Sequence, residues 1–359
     1  MTGHRPRPGR DPRSGMAAIV LSTAALLSPG PALACAACGC SLSTDAAMGY
    51  QAVPGGRVDL QYTYIDQSQL RAGTSAITPG RIGAVNDRGG DQEVEHRTTN
   101  QYVTLGLSYS PDGDWSVAVQ VPYVDRLHST FGAAGSSQIT AASQSNVSFG
   151  DLGDVRVLGA YQGFLPDGNL VVQLGVKLPT GRFGGQNTAT GAVVGRNPAF
   201  FSSGPNAASG QVLDTSLQPG TGSTDIIIGA SYDQPVGEDI DAFINGRIEV
   251  AVAQFLANAN ANYRPGNTDV LSFGLRDRHS PVWGPELQIN ITHKSADQGA
   301  LADTTNTAGT VIYASPGLSL RLAEGVTAFG FVQIPVHSWL AGYQLFPRWT
   351  ANAGLSYAF

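Results

Sequence analysis

The sequence predicts an all-β protein: a transmembrane, antiparallel, up-and-down β-barrel of about twelve strands, with short periplasmic turns and long extracellular loops. Three observations predict it. Beyond residue 56 apolar side chains recur with period two rather than 3.6. Short turns alternate with long polar loops. An export signal precedes both and takes the chain out of the cytoplasm.

The alternation places Val58, Leu60, Tyr62 and Tyr64 on one face and Asp59, Gln61 and Thr63 on the other. Val103 to Tyr109, Trp115 to Tyr123, Val155 to Tyr161 and Val172 to Leu178 repeat it. So do Ile226 to Tyr232, Ile240 to Val250, Leu271 to Leu275 and Leu287 to Ile291, then Leu318 to Leu322, Ala328 to Ile334 and Trp349 to Phe359. These runs mark about twelve strands of roughly 9–12 residues, the length a tilted strand needs to cross hydrocarbon.

A soluble sandwich also alternates, so the connections decide. Pro111-Asp112-Gly113-Asp114, Pro166-Asp167-Gly168-Asn169, Pro235-Val236-Gly237-Glu238 and Ala323-Glu324-Gly325 carry tight-turn chemistry. Between them lie polar loops at 67–97, 126–148, 180–222, 253–266 and 294–309. An even strand count puts both termini in the periplasm, and closure pairs every backbone group, as lipid demands. The loop 180–222 is long enough to fold inward and narrow the mouth.

The N-terminus divides into segments. Arg5 to Arg13 form a basic region, and Ala17 to Leu27 are an apolar run too short to span a bilayer. Ala32-Leu33-Ala34 is an A-x-A cleavage site, giving a signal peptide over 1–34. A periplasmic cysteine-containing segment follows at 35–55, then the barrel at 56–359. Only 13% of residues are charged, well below the usual quarter of soluble domains. The net charge of -6 falls to about -9 without the signal, which argues against nucleic acid as a partner.

Aromatics at strand ends, namely Tyr109, Trp115, Tyr161, Tyr232 and Phe359, predict a periplasmic girdle. The ending Leu355-x-Tyr357-x-Phe359 is similar to the insertion signal read by barrel-assembly machinery, which is then a partner together with outer-membrane lipid. Charged residues on the polar face should line the lumen: Asp59, Arg156, Lys177, Asp225, Asp241, Arg247, Glu249, Glu286 and Arg321. Such charges would be costly against lipid. About twelve strands lie between a filled interior and an open channel.

Three stretches beside strands carry a resemblance. They are Phe149-Gly150-Asp151-Leu152-Gly153-Asp154, Lys177-Leu178-Pro179-Thr180-Gly181 and Pro219-Gly220-Thr221-Gly222-Ser223-Thr224-Asp225, with Val332-Gln333-Ile334-Pro335-Val336 near the end. Over residues 100–359 this succession resembles the outer-membrane transporter family named for the MetA pathway of phenol degradation. The resemblance implies a barrel suited to small-molecule passage and no catalytic residues. The motifs also read structurally: Gly150 and Gly153 let backbone bend, and Pro179 and Pro335 sit where a ladder N–H is dispensable.

All three cysteines lie in Cys35-Ala36-Ala37-Cys38-Gly39-Cys40. Lipidation of Cys35, thiolate capture of a soft metal such as copper, and a disulfide are the three readings. No other cofactor is expected. His96, His128, His293 and His337 fall near extracellular strand ends, where wet rims accept histidine freely. A passive or selective channel for small solutes is the first functional expectation. The alternatives are a metal-handling envelope barrel using the cysteines, a sealed structural barrel, and a barrel hydrolase. The last lacks a G-x-S-x-G nucleophile motif, so no enzyme is expected.

Overall fold

The fold is that of a computed structural model, described over residues 54–132 and 135–359. The cysteine segment therefore lies outside the described residues. The strands are β1 (Gly55–Gly73), β2 (Ser75–Ala76), β3 (Val94–Ser110), β4 (Trp115–Phe131), β5 (Gln144–Leu152), β6 (Val155–Tyr161), β7 (Leu170–Leu178), β8 (Phe183–Gln186) and β9 (Val193–Arg196). Then come β10 (Ser223–Pro235), β11 (Ile240–Gln254), β12 (Thr268–Asp277), β13 (Trp283–Lys294), β14 (Gly309–Ala323) and β15 (Val326–Ala358).

The ring closes because β15 pairs antiparallel with β14 through residues 326–340 and with β1 through residues 340–358. Eleven continuous elements form the closed path, with β2 and β5 attached beside it. One element crosses twice. Thr350 donates its hydroxyl to Gln333 Oε1 at 2.8 Å, and the Ala358 N–H reaches the Gly325 carbonyl at 2.9 Å. The run Val326–Ala358 is thus a hairpin that reverses at Ala341–Gly342, where Gly342 takes φ +57°. Eleven elements with one double pass make twelve crossings, as the alternation predicts. β5 and β6 share a single crossing, pairing in succession along β4 on either side of a bulge at Gly153–Asp154.

The periplasmic turns form where turn chemistry stands: Gly113, Gly168, Gly237 and Gly325 all take positive φ. Asp112 Oδ1 accepts the N–H groups of Asp114 (3.0 Å) and Trp115 (3.1 Å), closing the first of them. Two loops are shorter than expected. β1 runs to Gly73 with β3 starting at Val94, and β4 runs to Phe131 with β5 starting at Gln144. Above the hydrocarbon both faces are polar, so the hydrophobic period fades while the backbone ladder continues.

The barrel is inside-out relative to a soluble protein. Leu60, Leu107, Val117, Leu174, Ile228, Ile244 and Leu287 are exposed outward, while Gln67, Gln288, Ser315 and Gln344 are fully buried inside. Only lipid makes that arrangement favourable, so the chain is an outer-membrane-type transmembrane barrel. Trp115 and Tyr161 (4.4 Å between centroids), Phe164, Trp283, Tyr357 and Phe359 ring the periplasmic end. The helix Pro79–Asn86 and the pair β8–β9 stand above the wall at the extracellular side.

The interior is filled unevenly. Phe331, Phe329, Phe243 and Leu158 point inward. Phe331 faces Gly317 across β14–β15, where any Cβ would come within 2.0 Å of its ring. Phe243, Phe329 and Phe331 thus take up part of the interior, and open volume remains along β1, β3, β4, β6 and β7, extending in one cavity to β10–β13.

Candidate functional site

The bulge between β5 and β6 breaks the ladder so that Gly153 N–H bonds the Pro122 carbonyl (2.8 Å) and Asp154 turns inward, buried. Asp154 Oδ1 accepts the Gly181 N–H at 3.0 Å. Its Oδ2 accepts the N–H and the hydroxyl of Thr221 at 2.8 and 2.9 Å. Gly181 and Thr221 stand at the two roots of the long connection between β7 and β10. One carboxylate therefore ties both ends of that loop to the wall.

Lys177 lies beside it, also buried. Its Nζ pairs with Asp225, sits 3.0 Å from Thr221 Oγ1, 3.6 Å from Glu249 and 4.0 Å from Asp154. Arg156 Nη2 pairs with Glu249 at 3.4 Å, and Ser223 Oγ donates to Asp225 at 2.6 Å. The three Gly-rich motifs thus meet at one point. Their glycines are needed where the loop roots cross: a Cβ on Gly181 would come 2.9 Å from the Gly220 Cα and 3.1 Å from the Gly153 carbonyl carbon.

From these roots the loop folds inward, as its length suggested. Ala199, Phe201, Leu213 and Leu217 pack with Leu70, Val94, Val147 and Leu345 from the strands. Arg126 on β4 holds the loop from below. Its Nη1 donates to the Leu217 carbonyl, its Nε to Asn100 Oδ1 (2.5 Å) and its Nη2 to the Tyr102 hydroxyl (3.0 Å). Asp214 on the loop accepts the Ser216 N–H and hydroxyl on Oδ1, both at 2.6 Å, while its Oδ2 is buried without a partner. Burial pushes the Asp214 carboxyl up to about 7, against the pull of the Ser216 hydrogen bonds and with the help of nearby Glu93 and Asp303.

Two cavities lie in the lumen. The upper one, about 270 Å³, is bounded by Gln61, Tyr102, Arg126, Arg156, Lys177 and the loop residues Ser216 to Thr221. The lower one, about 340 Å³, is bounded by Arg57, Asp59, Gln120, Leu158 and Gln173 and reaches the periplasmic end at Phe359. Successive inward positions of the same strands line first one and then the other, with the Arg156–Glu249–Lys177–Asp225 cluster at the upper cavity.

The predicted lumen residues separate accordingly. Arg156, Lys177, Asp225 and Glu249 come together. Asp59 lines the lower cavity, and Arg247 borders a small recess beside Gln173. Asp241 pairs with Arg278 at 2.9 Å, and Glu286 with Arg276 at 3.1 Å. Arg321 keeps the inward parity of β14 but is exposed at the periplasmic rim. Leu355, Tyr357 and Phe359 lie on the outer face, and the Phe359 backbone exchanges hydrogen bonds with Gly56 at 2.8 and 2.9 Å. The histidines stay apart: His128 is buried against Thr98 (2.8 Å) and Glu93 (3.8 Å), His293 bonds Thr310 (2.9 Å), and His337 is exposed. Among the described residues no group of three His, Cys, Asp or Glu is placed to hold a metal ion.

Sequence reasoning missed Arg126 and the tethering role of Asp154. The signal for Arg126 was the continuation of period two past Tyr123: Leu127 stays outward while Arg126 and His128 stay inward.

No protein-family model matches the chain, and no curated protein matches it. The resemblance to the MetA-pathway transporters therefore rests on the motifs themselves. Solved structures do match. An outer membrane channel from Pseudomonas putida superposes with a TM-score of 0.57 at 13% identity, covering 86% of this chain and 98% of that one. The translocator domain of the autotransporter NalP from Neisseria meningitidis gives 0.47 at 11% identity, covering 89% and 93%. A toluene transporter from Ralstonia pickettii gives 0.40 at 11% identity, covering 86% and 90%. The first of these likenesses shows the fold: a closed antiparallel β-barrel of the outer-membrane type.

Proposed function

We propose that this barrel is a narrow channel for small solutes. A solute enters past the inward loop, occupies the upper cavity, passes the ion-pair cluster and leaves through the lower cavity to the periplasm. The observation that carries this reading is the stacking of two cavities along β1, β3, β4, β6 and β7, the upper one reaching across the lumen to Asp225, Glu249, Thr268 and Lys294. Selection then follows from width and charge without covalent chemistry. The loop tethered at Asp154 narrows the path, and the converging Gly-rich motifs build that tether. The matched Pseudomonas putida structure is itself described as a channel, which agrees with this reading.

Liposomes containing the purified barrel test it. They should swell in isotonic solutions of small solutes and stay unchanged in oligosaccharides. Swelling no faster than protein-free liposomes with every solute would refute the channel.

A further inference from the structure

Three of the four cations around the upper cavity have carboxylate partners. Lys177 pairs with Asp225, Arg156 with Glu249, and Lys294 with Asp297 at 2.6 Å. The fourth does not. Arg126 is 5% exposed, and no carboxylate of the described residues approaches it within 4.0 Å. Its acceptors, the Asn100 amide oxygen, the Leu217 carbonyl and the Tyr102 hydroxyl, are all neutral, as is the Phe149 ring 6.0 Å from the guanidinium carbon. A guanidinium cannot shed its proton and carries five N–H donors, so the charge is permanent and two donors remain unspent. A buried charge is costly unless a counter-charge accompanies it.

From this we infer that Arg126 and the upper cavity form a binding subsite for a small organic carboxylate. The inference rests on the channel reading for its access route but not for its chemistry. The planar fork of a guanidinium matches a carboxylate in shape as well as charge. At about 270 Å³ the cavity falls just below the usual range for drug-sized ligands, roughly 300–1,000 Å³. The walls formed by Tyr102, Tyr263 and Pro265 suit a compact aromatic or aliphatic body. The loop carbonyl of Leu217 on the same guanidinium places a bound carboxylate directly beneath the inward-folded loop.

The test is calorimetric titration of the detergent-solubilised full barrel with benzoate, and with benzamide as its neutral counterpart of the same shape. Benzoate should bind at least about tenfold tighter than benzamide, and Arg126→Gln should remove that preference. Equal affinities in the native protein, or an unchanged benzoate preference in Arg126→Gln, would overturn the subsite. If Arg126→Gln fails to fold, the native benzoate and benzamide comparison still decides. Chloride that displaces benzoate at equal molar concentration would overturn the assignment to carboxylates. Conductance of the same preparation in bilayers separates the two readings: benzoate binding without conductance leaves the subsite and removes the channel, and conductance without benzoate binding does the reverse.

Discussion

Asp154 Oδ2 receives both the backbone N–H and the hydroxyl of Thr221, a residue sixty-seven positions further along the chain, at 2.8 and 2.9 Å. Its other oxygen holds Gly181. A single buried carboxylate in a strand bulge thus closes the base of the loop that enters the lumen, and both the narrowness of the path and its control depend on this tether.

Asp154→Ala should free both loop roots. It leaves the N–H groups of Gly181 and Thr221 without their acceptor, at a cost of about 1–3 kcal/mol for each buried unsatisfied group. The barrel remains, because its ladders do not involve this side chain. Limited proteolysis should therefore cut within residues 182–219 faster than in the native protein, with the wall fragments intact. An unchanged cutting rate would show that the loop is held elsewhere.

Lys177→Met should destabilise the barrel strongly, by about 3–5 kcal/mol, because Asp225 is left as an uncompensated buried charge while Glu249 keeps its pairing with Arg156. The double change Lys177→Met with Asp225→Asn should recover part of that loss. Thermal unfolding in detergent, read by the loss of β-sheet circular dichroism, gives the comparison. A double variant no better than the single one would contradict the coupling.

Docking of the loop should weaken as pH rises. Asp214 titrates near 7 when docked, against an ordinary value of 3.8. The docked state therefore holds a proton that the released loop gives up between these values. Its stabilisation is full below the ordinary value, declines through the interval and is lost above about 7. Current fluctuations in planar bilayers should be more frequent near pH 8 than near pH 5, and Asp214→Asn should flatten that dependence. An identical pH profile in Asp214→Asn would exclude this carboxyl as the source.

Ile228 sits on the outer face of β10, 54% exposed to the surroundings. Ile228→Arg should cost about 2–4 kcal/mol if that face meets lipid near the bilayer midplane. Urea unfolding in vesicles measures it. A loss below about 0.5 kcal/mol, as at an ordinary surface position, would place this face in water.

Much of the wall was legible in the sequence. Period two marked every crossing, since each lipid-facing side chain must be apolar and its neighbour must not be. Turn chemistry at Gly113, Gly168, Gly237 and Gly325 fixed which connections are short. The upper parts of β1 and β4 were not legible, because outside the hydrocarbon nothing forces one face to be apolar. Parity reads Lys177, Asp225 and Glu249 as inward charges. Their meeting was not, since Lys177, Asp225 and Glu249 lie on three strands whose register a single sequence does not reveal. The bulge at Asp154 explains why its motif looked like a glycine bend: the glycines make room, and the carboxylate uses it.

Removal of the loop tests the central claim most directly. Arg182 and Gly220 are already hydrogen-bonded at 2.7 Å, so a two-residue turn can replace 183–219 without moving the strands. Single-channel recording in planar bilayers should give small discrete steps for the native barrel and severalfold larger steps for the shortened one. Steps of equal size, or none from either protein, would contradict a solute path narrowed by this loop.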